Sequence, residues 1–282
     1  MTLAVRSTLG TADQQLALYD WPLPAHQPAD AQRGTVLLVH GLGEHMGRYV
    51  HVAQQLNAWG FDVRGYDHHG HGLSSGDRGT LPTPHRLLDD LARVIDQTRA
   101  LMQQPSRRLI LLGHSMGGLV VARAVAEQLR PVDGLVMSSP ALRTDINWLQ
   151  RMLLATLPHI APQLCVDNGL NARWVARNTA VVHAYENDPL VHRKISAALG
   201  AWIFHEGAAT LAQAAQWQVP TLLLYAGQDR LVDPAGSALF AQRAPSHLVT
   251  AHCYAAMYHE IFNDPEVDRV FADLRAWLVR AE

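Results

Sequence analysis

The sequence predicts an α/β architecture: a mostly parallel central sheet flanked by helices, with a helical cap insertion. Three observations predict it. Short apolar, β-branched runs alternate with longer stretches of helical periodicity. The short runs are continuously apolar, as in strands buried on both faces by crossover helices. The rhythm then breaks from 141 to 206, where no clear buried strand is found.

Each element has a local reason. Residues before His26 form an expected antiparallel pair of strands, with Trp21-Pro22-Leu23-Pro24 as a loop. Thr35-Val36-Leu37-Leu38-Val39-His40 reads as a buried strand. A helix is expected from Glu44 to Trp59, ended by Gly60. Phe61 to Asp67 is the next strand and Pro84 to Gln103 the next helix. Leu109-Ile110-Leu111-Leu112 is a strand, and Ser115 to Leu129 a helix that Pro131 stops. Gly134-Leu135-Val136-Met137 follows as a strand. Thr221 to Tyr225 and His247 to Tyr254 supply two more, before a last helix from about Pro265 to Val279.

Between these groups, Ile146, Leu149, Leu153, Leu157 and Ile160 recur at helical spacing. Trp148, Met152 and Leu154 widen that face, and Pro158 and Pro162 are expected to end the helix. A turn at Asn187-Asp188-Pro189-Leu190 precedes a further expected helix, Val191 to Phe204. An insertion between sheet strands reads as a cap over the strand ends. The expected division is a core of residues 1–140 and 207–282 and a cap of 141–206. Trp148, Met152 and Leu153 are the expected substrate-facing side of the cap. The plainer alternative is core packing.

Composition removes several function classes. A formal net charge of −2 argues against a nucleic-acid partner, which selects a basic excess. Two cysteines, Cys165 and Cys253, cannot build a disulfide framework and are expected as free thiols. The N-terminal residues lack a signal-peptide pattern, and no run approaches the ~18 apolar residues of a membrane span. A cytoplasmic protein is expected.

The chemistry concentrates at Gly113-His114-Ser115-Met116-Gly117-Gly118. It lies directly after a strand and opens a helix, which is the setting of a G-x-S-x-G nucleophile elbow. A serine on that sharp turn projects its hydroxyl above the sheet. The two glycines let strand and helix approach closely, and the helix N-terminus adds amide donors. The expected nucleophile is Ser115. The expected oxyanion donors are the backbone N–H groups of Met116, which follows it, and of Leu42 in His40-Gly41-Leu42-Gly43. Glu44 and Arg48, four residues apart, are expected to pair.

In this arrangement the acid and then the histidine follow the serine along the chain. Of 16 histidines, only His247, His252 and His259 follow the penultimate strand. His259, in the loop after the last strand, is the expected base. Asp229 follows strand Thr221–Tyr225 and is favoured as the acid, with Asp233 as rival. Asp67-His68-His69-Gly70-His71-Gly72 is compatible with metal ligands but is explained as well by a glycine-containing strand exit. No P-loop or dinucleotide fingerprint is present. Neither metal nor cofactor is expected.

These residues resemble the monoacylglycerol lipase and lysophospholipase branch of the α/β-hydrolases. The matching pieces begin with His40-Gly41-Leu42-Gly43-Glu44-His45 and Gly47-Arg48-Tyr49. Asp67 to Ser74, Gly76 to Gly79 and Gly113 to Gly118 follow. Asn187 to Leu190, Val219 to Leu224 with Gly227 and Asp229, and His259 complete the set. The resemblance implies an α/β-hydrolase fold, the triad Ser115, Asp229 and His259, and Leu42 and Met116 as oxyanion donors. It also implies a lipid ester substrate and a cap that shapes an acyl tunnel and touches membrane surfaces. Hydrolysis of monoacylglycerols or lysophospholipid-like single-chain esters is the expected function. The alternatives are a short-chain esterase, an aminopeptidase or amidase of the same fold, and a non-catalytic receptor. A haloalkane-type hydrolase would need Asp where Ser115 stands.

Overall fold

A computed structural model of the chain describes residues 4–11, 14–23, 32–102, 107–144 and 148–280, without the side chains of 148–151 and 280. Pro24, His26, Gln103 and Ile146, to which the sequence reading extends, lie outside them.

Eight strands form one sheet. They are β1 (Val5–Leu9), β2 (Leu16–Trp21), β3 (Gly34–Val39), β4 (Phe61–Tyr66), β5 (Arg108–His114), β6 (Gly134–Ser138), β9 (Thr221–Ala226) and β10 (Val249–Tyr254). Their order is β1-β2-β4-β3-β5-β6-β9-β10. β1 pairs antiparallel with β2, and β2 with β4; the other pairings are parallel. The N-terminal hairpin is thus the antiparallel edge of a sheet whose remainder needs crossovers.

The continuously apolar strands divide their side chains between two cores, because successive residues of a strand face opposite ways. Leu37, Val39, Leu109, Leu111, Leu135, Met137 and Leu223 enter one core. Val36, Leu38, Ile110, Leu112, Val136, Leu222 and Leu224 enter the other. Helices α2 (Arg86–Leu101), α3 (Met116–Ala126), α6 (Ala197–Gln213) and α7 (Pro234–Arg243) lie over the first face. Helices α1 (Val50–Ala58) and α8 (Val267–Arg280) lie over the second. All of α3 from Met116 to Val125 is buried, because it packs against α2 and α6 as well as the sheet.

Several boundaries differ from the sequence reading. The helix expected from Glu44 begins only at Val50, after a 3₁₀ turn at Met46–Tyr49. Glu44 is drawn out of the helix by hydrogen bonds described below. The strand expected from His247 starts at Val249. Helix α4 (Trp148–Ile160) runs through Pro158 rather than ending at it.

Over 141–206 the chain forms α4, a short strand β7 (Cys165–Asp167), α5 (Thr179–Asn187) and a short strand β8 (Lys194–Ser196). β7 and β8 pair antiparallel as a separate ribbon. The helix expected from Val191 therefore begins later, at Ala197, where Ser196 accepts the Leu199 N–H as N-cap. It continues to Gln213, so the boundary placed at 206 falls inside α6. The ribbon is tied to the core loops: His192 N–H donates to Gly43 C=O (2.8 Å), and Ser196 N–H to Gly79 C=O (2.8 Å).

Candidate active site

Ser115 stands between β5 and α3 with φ 55° and ψ −120°. A non-glycine residue there is strained and persists only where its surroundings hold it. Ser115 N–H donates to Ser138 C=O (2.9 Å), and its C=O accepts from Leu119 and Ala141 N–H (3.1 and 3.0 Å). The flanking glycines are required by contact. A Cβ on Gly117 would lie 2.2 Å from the Val39 carbonyl oxygen, and one on Gly113 would lie 2.4 Å from that of Gly117.

His259 lies in the turn after β10, and its Nδ1 is 2.6 Å from Asp229 Oδ2, both side chains being buried. Asp229 Oδ1 accepts the Leu231 and Val232 N–H groups (2.9 and 3.0 Å). The carboxylate is thus fixed from both sides, and Nδ1 carries the proton it accepts. That leaves Nε2 of His259 as the basic nitrogen. Burial opposes the imidazolium of His259, but the Asp229 carboxylate, with Glu260 and Glu44 beyond it, raises its pKa above the ordinary 6.5. Burial likewise opposes the charged Asp229, and the His259 contact with the two amides still lowers its pKa.

The rivals are engaged elsewhere. Asp233 caps α7 through the Ala235 N–H (2.9 Å) and pairs with Arg143 (2.8 Å). His247 is exposed, and His252 lies 3.7 Å from Asp273.

Leu42 and Met116 line the same cavity as Ser115 and His259. Their loop is held by chemistry that motif reading missed. His68 N–H donates to His40 Nε2 (3.0 Å), so the His40 proton resides on Nδ1 and is donated to Gly41 C=O (2.8 Å). Burial depresses the His40 pKa to about 4 and keeps the ring neutral. On the other side, Gly41 N–H donates to Glu44 Oε1 (2.6 Å). Glu44 also accepts from Tyr49 OH and Arg48 (2.7 Å each). Arg48 then reaches both oxygens of Glu260, at 2.6 and 2.8 Å. The expected Glu44–Arg48 pair is therefore one half of a bridge from the His40–Gly43 loop to the residue after His259. Glu260 is distant from both in sequence, and only the fold brings it there.

The loop after β4 is held by Asp67, which accepts from Met46 N–H (2.7 Å), Leu73 N–H (2.8 Å) and Tyr19 OH (3.0 Å). His68 Nε2–H donates to His40 C=O (3.1 Å), and His71 Nδ1–H to His69 C=O (2.9 Å). Burial pushes His68 down to about 3, so these rings act as neutral packing and hydrogen-bonding groups. Among the described residues no His, Cys, Asp or Glu cluster is disposed to hold a metal ion.

The cavity measures about 490 Å³. Leu153 lines it, together with Leu154 and Leu157. Met152 is a correction: it is half exposed and absent from the cavity wall. On α4 the inward stripe is 153, 154 and 157, and Met152 falls on the other side of it. The side chain of Trp148 lies outside the described residues. Trp174, Leu164, Val166 and Ile203 also line the cavity.

The sheet order, the strained serine at the β5–α3 elbow and the Asp229–His259 pair define an α/β-hydrolase. Comparison with known proteins narrows the class. Residues 30–266 match the hydrolase family described as serine aminopeptidase S33, and the chain belongs to that family. It is 36% identical to a monoacylglycerol lipase from Mycolicibacterium smegmatis over 93% of this chain and 92% of the relative. It is 34% identical to phospholipase YtpA from Bacillus subtilis, covering 88% and 96% of the two chains. The crystal structure of the Paleococcus ferrophilus monoacylglycerol lipase superposes with TM-score 0.83 at 33% identity, covering 95% of this chain and 99% of that one.

The His259 environment gives a pH expectation. A general base works as the neutral imidazole, so kcat/KM should fall as pH drops through the His259 pKa. Because that pKa is raised, the acid limb should lie above pH 6.5. A pH profile of kcat/KM on a soluble ester checks this, and an acid limb centred below 6 would contradict it.

Proposed function

We propose that this serine hydrolase cleaves carboxylic esters of single-chain lipids, monoacylglycerols foremost, through an acyl-enzyme. Ser115 attacks the ester carbonyl while His259 Nε2 takes its proton. The Leu42 and Met116 N–H groups stabilise the oxyanion. His259 then gives the proton to the leaving alcohol, and water repeats the sequence on the acyl-enzyme. Asp229 holds the imidazole tautomer and stabilises its charged form. Residues 141–206 act as the cap.

The observation that carries this reading is an apolar cavity beside the strained serine, walled by leucines of the cap. Its size suits one acyl chain. The monoacylglycerol lipase relatives support the choice of ester. Met152, Leu153, Ile160, Leu164 and Val166 are exposed around α4 and β7. Such an apolar rim favours contact of the cap with a lipid surface. Among the described residues no helix is long and apolar enough to cross a membrane.

An aminopeptidase would need a free carboxylate for the substrate ammonium. Asp188 pairs with His45 (2.8 Å) and Glu206 with Arg123 (2.7 Å). The wall carboxylates Glu44 and Glu260 are held by Arg48, and Asp167 by Arg193. Glu186, the third carboxylate of this region, is exposed and lies off the cavity wall, so peptide substrates are disfavoured.

Hydrolysis of 1-monooleoylglycerol beside a p-nitrophenyl ester series tests the proposal, with Ser115→Ala as control. Turnover of the oleoyl ester is expected. Cleavage of short esters alone would make the protein an esterase, and one burst with a covalently held product would make it a receptor.

A further inference from the structure

The charged groups of the cavity wall are not all engaged in ion pairs. Three carboxylates line it: Glu44 and Glu260, which share Arg48, and Asp167, which pairs with Arg193. Arg230 is the one arginine or lysine among the described lining residues. It has no carboxylate partner and donates no hydrogen bond among the described residues. Its guanidinium lies instead over the Trp174 ring, 5.8 Å from the centroid, and Trp174 lines the cavity too.

A guanidinium on an indole face keeps its planar edge of N–H donors free. The stack also restricts a side chain that would otherwise sweep through solvent. Arg230 follows Asp229 directly, so its backbone is anchored by the same turn that places the proposed acid. Arg230 therefore presents, on the wall of the cavity that also holds Ser115, a cation with no ion-pair partner among the described residues.

We propose that Arg230 is a specificity-determining residue that binds an anionic group carried by the ester substrate. The ligand chemistry is a phosphate or carboxylate able to accept two N–H donors. It sits either on the leaving alcohol, as in an anionic lysophospholipid, or at the far end of the acyl chain. This inference rests on the ester-hydrolase reading and adds a charge preference to it. A neutral glyceride would leave the guanidinium facing water.

The test measures kcat/KM on four esters in two neutral and anionic pairs. They are neutral 1-monooleoylglycerol, anionic 1-oleoyl-lysophosphatidylglycerol and the mono-p-nitrophenyl ester of a long dicarboxylic acid, with p-nitrophenyl decanoate as its neutral partner. Wild type, Arg230→Gln and Arg230→Lys are compared. Charge-assisted pairing at a partly exposed site should make the anionic-to-neutral ratio fall about five- to tenfold in R230Q. Arg230→Lys should recover part of it. A fall in the lysophospholipid ratio places the anion on the alcohol, and a fall in the dicarboxylate ratio places it on the acyl chain. Equal losses on all esters would reduce Arg230 to a structural role and overturn the proposal, as would unchanged ratios. Failure of wild type to cleave any ester would instead refute the hydrolase reading beneath it.

Discussion

Ser115→Ala should lose on the order of 10⁴–10⁶ in kcat on its best ester and remain folded, and His259→Ala should lose as much. The two residues act as one unit, so their double variant should be hardly worse than either alone. The structural reason lies in the elbow. Ser115 holds φ 55° because its amide and carbonyl are bound to Ser138, Leu119 and Ala141. The hydroxyl itself takes no part in that scaffolding, so its removal should leave the thermal midpoint within a few degrees of wild type. Burst kinetics with a p-nitrophenyl ester and a thermal melt read the two quantities: the acyl-enzyme burst should vanish in S115A while the melting curve persists. A loss below tenfold would exclude Ser115 as nucleophile.

Much of this site was legible in the sequence because covalent order and strand position constrain it. A serine flanked by glycines between an apolar strand and a helix leaves few backbone solutions. Once the sheet order is known, the end of β9 and the turn after β10 become neighbours, since the two strands pair in parallel with Ala226 opposite Tyr254. That register brings Asp229 beside His259. The less legible parts depend on side chains far apart in the chain. The stretch from Glu44 to Trp59 reads as one helix, yet the Glu44 carboxylate turns back to the Gly41 amide while still pairing with Arg48. Met152 and Leu153 are both apolar and both exposed, and only the rotation of α4 about its axis brings Leu153 alone of the two to the cavity wall. The β7–β8 ribbon has three residues in each strand, too few for an alternating pattern to register. Its exposed Val166 belongs to no core.

The buried bridge through Arg48 should prove the most costly single side chain to remove outside the proposed triad. Arg48→Met would leave Glu44 and Glu260 both nearly inaccessible and without their shared counter-charge. Breaking a buried pair while one partner stays behind costs about 3–5 kcal/mol, and here two carboxylates stay behind. For a chain of this size the thermal midpoint should fall on the order of 10 °C. The pH dependence of that loss identifies its cause. In wild type, burial opposes a charged Glu44, but Arg48 and nearby groups hold its pKa down to about 2. Without Arg48, burial raises it, so the folded variant favours the protonated carboxyl. A group whose folded-state pKa is raised loses stability as pH climbs through that pKa. The variant should therefore lie nearer wild type at pH 5 than at pH 8, whereas simple loss of packing would give a deficit independent of pH. Activity should fall too, because Glu44 Oε1 is the acceptor that fixes Gly41 beside the Leu42 amide. Misplacement of that donor by about an ångström costs on the order of 10² in rate. The loss should appear in kcat more than in KM, since the oxyanion exists only in the transition state and the intermediates around it. Chemical denaturation at the two pH values, run beside steady-state kinetics, separates these effects. A pH-independent deficit below 1 kcal/mol would mean that Arg48 merely fills space between two loops held by other contacts.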